Sequence, residues 1–173
     1  MRFADRGGHD EGRPSPRELM LRNFREFPGP VAVVRNPRGG AHALGGGEKE
    51  NGRPYSIHIT YTTPDGQRLL VRTKAEPLPV DPNFPPPFVT VDTLQNAFGI
   101  YGRRAAASSP PPQTQISVLI DGVPVPGFRI DYPDYPDCSG AEFVWDGRIV
   151  QCVGAAAVID VLELRSAVPE DFL

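Results

Sequence analysis

The stretch from Tyr55 to Lys74, YSIHITYTTPDGQRLLVRTK, decides the fold, because it reads as two strands turned back on each other. Pro64-Asp65-Gly66 suits a type I turn closed by a glycine in the left-handed region, which sets Thr63 opposite Gln67. In that register Tyr61 faces Leu69, Ile59 faces Val71 and Ile57 faces Thr73 on one side of the hairpin. Thr62 and Arg68, His58 and Arg72, and Ser56 and Lys74 pair on the other side. Six pairs that sort into an apolar and a polar face are the pattern of a half-buried antiparallel hairpin.

The Asp-Gly signal recurs at Asp121-Gly122 and Asp146-Gly147, each time between apolar-alternating segments. A two-residue turn at Asp121-Gly122 pairs Ile120 with Val123 and Val118 with Val125. Pro124 and Pro126 then occupy alternate positions whose missing N–H groups face away from the partner, an arrangement tolerated only at a sheet edge. The segment Val123 to Ile130 is therefore expected to be an edge strand, at least through Pro126. In the third hairpin Phe143 stands opposite Val150 and Ala141 opposite Cys152, which makes Cys152 a small core residue.

Outside the hairpins, Ser15, Pro16 and Glu18 form a capping box, and Met20, Phe24 and Phe27 follow as one apolar stripe, predicting a helix from Arg17 to Phe27. Pro28-Gly29-Pro30 stops it before a short strand at Val31 to Val34. Leu94, Ala97, Phe98 and Tyr101 carry the i, i+3, i+4, i+7 spacing of a second helix, Thr93 to Tyr101, between proline-rich stretches that read as stiff linkers. Alternation at Leu162 and Leu164 favours a helical turn followed by a strand within 155–166. Residues 1–14 read as a disordered tail, and glycine clusters make 36–54 a flexible loop. The expected fold is one α+β domain over 15–173, a mainly antiparallel sheet of three Asp-Gly hairpins with two helices packed on one face.

Composition bounds the function. The 173 residues, 39% of them hydrophobic and 23% charged, suffice for one domain with a core, while 21 Pro and 18 Gly call for long loops. A formal net charge of -3 argues against nucleic acid as a partner of the surface as a whole. There is no apolar run of membrane-spanning length and no apolar core of an export signal, so a cytoplasmic protein without a membrane partner is expected. Two cysteines are too few for a disulfide scaffold and lack zinc-binding spacing, and no cofactor motif is present.

Candidate sites are few. The repeat DYPDYPDC, Asp131 to Cys138, offers Asp131, Tyr132, Asp134, Tyr135 and Asp137 as a partner-binding ridge. In a polyproline II conformation successive aspartates stand about 9 Å apart, too far for three of them to share one ion, so no metal is expected. His58, Arg68, Arg72 and Lys74 on the polar face of the first hairpin form a basic stripe suited to an acidic partner. These surfaces favour a small protein-interaction module, of adaptor or inhibitor type, that binds a protein partner through a sheet face or edge strand. A homodimer through the edge near Val123 is one form of it. The alternative is a small hydrolase or transferase with its site between the 36–54 loop and the 131–138 segment, where His42, Asp134 and Cys138 could meet.

Overall fold

The computed structural model describes residues 13–37, 41–44, 48–50, 52–75, 113–132 and 136–172. Their strands are β1 (Ala32–Val34), β2 (Ala41–Leu44), β3 (Glu48–Glu50), β4 (Arg53–Thr62), β5 (Arg68–Lys74), β6 (Gln113–Ile120), β7 (Val123–Asp131), β8 (Cys138–Trp145), β9 (Arg148–Ala155) and β10 (Glu163–Ser166). All belong to one sheet ordered β1-β10-β6-β7-β8-β9-β5-β4-β2, with β3 also paired to β4. The eight strands from β1 to β4 make the body, and β2 and β3 are short additions to β4.

All three hairpins form in the register that their turns dictate. The six pairs from Tyr61–Leu69 to Ser56–Lys74 are present, as are Ile120–Val123, Val118–Val125, Phe143–Val150 and Ala141–Cys152. At the first turn Gly66, with φ at +83°, donates to the Thr63 carbonyl over 2.9 Å, and Thr63 N–H reaches Gln67 O over 2.8 Å. The other two turns place both the Asp and the Gly at positive φ, 52° and 76° in one, 49° and 70° in the other. That is the type I′ geometry whose twist matches the flanking strands.

The arrangement of these hairpins corrects the expected fold class. The sheet is mixed, because β10 runs parallel to β6 through Glu163–Leu119 and Leu164–Ile120. It also curls nearly into a barrel, so that β1, at one end of the order, lies against β5 and β4 near the other. Among the described residues no ladder closes this seam. Instead Ala32 N–H donates to Thr73 Oγ1 over 3.0 Å and Val34 N–H to Tyr61 Oη over 3.2 Å. The apolar faces of the hairpins therefore bury against one another, with Ile57, Ile59, Val71, Phe143, Val150 and Leu164 in one core, and not under a layer of helices.

The helices are accordingly small and placed beside or across the curled sheet. Helix α1 (Pro16–Glu26) has the capping box, with Ser15 N–H to Glu18 Oε2 at 2.6 Å and Glu18 N–H to Ser15 Oγ at 3.2 Å. It contributes Met20 to the core and stacks Phe24 on Phe172 of the C-terminal 3-10 turn (Pro169–Phe172), ring centres 4.6 Å apart. Helix α2 (Ala156–Ile159) carries the chain from β9 across one end of the barrel and buries Ile159. The expected order of helical turn then strand in 155–166 is thus present, and the crossing is what lets β10 enter parallel to β6. The predicted helix Thr93 to Tyr101 and most of the N-terminal tail lie outside the described residues. Within 36–54, the described parts include β2 and β3.

Candidate functional site

The aspartate and tyrosine repeat joins β7 to β8. Asp131 ends β7 opposite Ser139, and its Oδ1 accepts from Arg129 Nε and from Ser139 Oγ, both at 2.9 Å. Burial pushes its carboxyl up, but the bonds from Arg129 and Ser139 and the charge of Arg129 outweigh that and hold it below the ordinary aspartate range. Arg129 also pairs with Asp160, fastening the turn after α2 to β7. Tyr132 is buried among Leu70, Ile130 and Val153, and burial, then the charge of Glu142, raise its phenol. Asp137 is exposed, and its carbonyl accepts from Ala156 N–H over 2.9 Å. Asp134 and Tyr135 lie outside the described residues. Asp131 and Tyr132 are thus engaged with the protein's own groups.

Of the residues of the catalytic alternative, Asp134 lies outside the described residues, and Cys138 and His42 stand on strands that are not neighbours in the sheet. Cys138 is half-buried on β8, where burial and then the charge of Asp137 push its thiol up, away from a reactive thiolate. His42 belongs to β2, separated from β8 in the sheet by β9, β5 and β4. Cys152 is a fully buried core residue whose thiol is raised by desolvation. Among the described residues no group of three or more His, Cys, Asp or Glu could hold a metal.

The basic stripe has the expected pairing but not an open, solvated setting. Arg68 is exposed, His58, Arg72 and Lys74 are half-buried, and Ser56 is fully buried. Register carries the row onward, His58 to Arg72, Arg72 to Gln151 and Gln151 to Glu142, across β4, β5, β9 and β8. Gln151 and Glu142 are buried, with Gln151 Nε2 donating to Glu142 Oε1 over 2.8 Å. This polar row was not anticipated from sequence. The available signal was the near-continuous run of apolar and small residues in β8 and β9, which marks strands covered on both faces.

The edges of the sheet differ sharply in chemistry. Gly127 to Asp131 of β7 pair with β8, so that strand is interior there, and only Val123 to Pro126 have an open side. On that side Pro124 and Pro126 present no donors. Strand β6 is the opposite case. Its neighbour β10 reaches only Leu119 and Ile120, while the alternation set by the Ile120–Val123 pair turns the N–H and C=O groups of Gln113, Gln115 and Ser117 away from β7. Gln115 and Ser117 are exposed, and among the described residues no strand pairs with this side.

A cavity of about 710 Å³ opens at the end of the barrel crossed by α2, lined chiefly by Val34, Tyr61, Leu69, Val158, Val161 and Leu162. Asp65 and Glu163 are also among its lining residues. No helix among the described residues is long and apolar enough to cross a membrane. Comparison of the chain with protein-family models, curated proteins and solved structures gives no match.

Proposed function

We propose that this protein is an interaction module that receives an extended segment of a protein partner on the open edge of β6. The observation that carries this reading is the row of outward backbone groups at Gln113, Gln115 and Ser117, in a stretch free of proline and charge. Exposed edges are normally blunted by proline, lysine or a bulge, because a strand can add to them through main-chain bonds. The opposite open strip, Val123 to Pro126, has that protection, and β6 does not. An adaptor or inhibitor role fits such an edge, and two free thiols suit a reducing compartment such as the cytoplasm.

Ser117→Pro tests this directly. The Ser117 N–H points away from β7, so proline there removes an outward donor without breaking the hairpin ladder. Partner capture from the source cell should be lost in this variant, with stability changed by less than about 1 kcal/mol. In the wild-type complex the amides of Gln115 and Ser117 should gain protection from hydrogen exchange. Capture that survives Ser117→Pro, without protection at those amides, would remove β6 as the docking edge.

A further inference from the structure

We infer that the cavity at the α2 end of the barrel is a binding site for a small neutral molecule with an apolar body and one hydrogen-bond acceptor, such as a ketone or ester. This site is separate from the β6 edge and does not depend on it. A volume of about 710 Å³ is within the range of small-molecule pockets, and six of the lining side chains named above are apolar or aromatic. Val161 on its wall is 80% exposed, an apolar surface that an occupant would cover.

The acceptor requirement comes from Tyr61. Its side chain is buried, 6% exposed, and its hydroxyl accepts the Val34 N–H at the seam of the barrel. A phenol that accepts one bond still has its own proton to donate, and among the described residues no acceptor takes it. Asn36 and Gln67 also line the cavity but are exposed and half-buried, so the Tyr61 phenol is its one buried donor. Such a donor selects a ligand oxygen, and shape orients the rest of the molecule.

Charge narrows the class further. Glu163 is answered by Arg35 over 2.6 Å, whereas Asp65 receives the Thr63 hydroxyl and no cation among the described residues. Near the phenol the charge of Arg165 is answered by Asp171, so an anionic head group entering here would meet the Asp65 carboxylate, a desolvated phenol and no uncompensated cation among the described residues. The Tyr61 phenol, pushed up to about 12 chiefly by burial, stays protonated and able to donate at neutral pH. A neutral carbonyl is therefore accepted and a carboxylate is not.

The probe is 2-octanone, titrated into the whole protein while the methyl resonances of Val158, Val161 and Leu162 are followed by NMR, with octanoate at pH 7 as comparison. Saturable shifts of these methyls are expected with the ketone, and binding of octanoate should be at least tenfold weaker. Val158→Trp, which sets a bulky ring into the cavity where the apolar body would lie, should abolish the shifts at Val161 and Leu162. Tyr61→Phe should weaken the ketone about fivefold, the scale of one neutral hydrogen bond. Because Tyr61→Phe also removes the Val34 bond, the Val158→Trp and octanoate measurements decide the matter if that variant does not fold. The proposal falls if 2-octanone gives no saturable shift, if binding survives Val158→Trp, or if octanoate binds as tightly as the ketone. Unchanged affinity in a folded Tyr61→Phe protein overturns the acceptor requirement.

Discussion

Arg165 and Asp171 show how one pair near the C-terminus sets a pH dependence. Arg165 donates through both terminal nitrogens to Asp171, at 2.8 and 2.5 Å, and Val168 N–H adds a bond of 2.8 Å. Burial raises the carboxyl, but these bonds and the Arg165 charge outweigh it and leave Asp171 below the ordinary range. A carboxyl lowered in the folded state contributes stability that is fully present above about pH 4 and is lost as pH falls through its folded value. Urea unfolding followed below pH 4 should therefore fall less steeply in Asp171→Asn than in the wild type. Equal slopes would show that the pair contributes nothing to acid sensitivity. At this scale the sequence was legible where chemistry is local, as in the reciprocal bonds of Ser15 and Glu18. It was silent where partners are distant: Tyr61 and Thr73 read as members of an apolar face, and their hydroxyl acceptors for β1 came only with the fold.

Strands β6 and β7 share a hairpin yet expose edges of opposite character. The prolines at 124 and 126 remove both outward donors of the open β7 strip, so a second copy of the chain cannot build an ordinary ladder there. Replacing both with threonine restores the donors and leaves the β6 ladder intact. Sedimentation velocity should then show concentration-dependent association in the double variant and less of it in the wild type. Equal behaviour would mean that the prolines serve another purpose. Hairpin registers were readable because each is fixed by a turn a few residues away, and the mispredicted part of β7, Gly127 to Ile130, begins where the prolines end. Nothing local announced β2 and β3, since glycine and charge dominate 36–54 and disfavour strand assignment. The parallel β10–β6 contact joins residues more than forty positions apart through a crossing that no turn signal specifies.

The whole molecule rests on one event, the approach of β1 to β5 and β4 that turns a long sheet into a near-barrel. Three Asp-Gly hairpins define pairs of strands, but they leave open which edges meet, so a sheet covered by helices and a sheet covered by itself share the same local pattern. Closure places Ala32 and Val34 N–H on side-chain oxygens, while Val33 pairs with Arg165 of β10. Site-resolved amide hydrogen exchange distinguishes the two arrangements. The expected result is that Ala32 and Val34 exchange as slowly as Val33, and that Thr73→Val, which keeps the shape but removes the acceptor, speeds Ala32 selectively. Rapid exchange of Ala32 and Val34 beside a slow Val33 in the wild-type protein would mean that β1 is a free edge and the sheet is open.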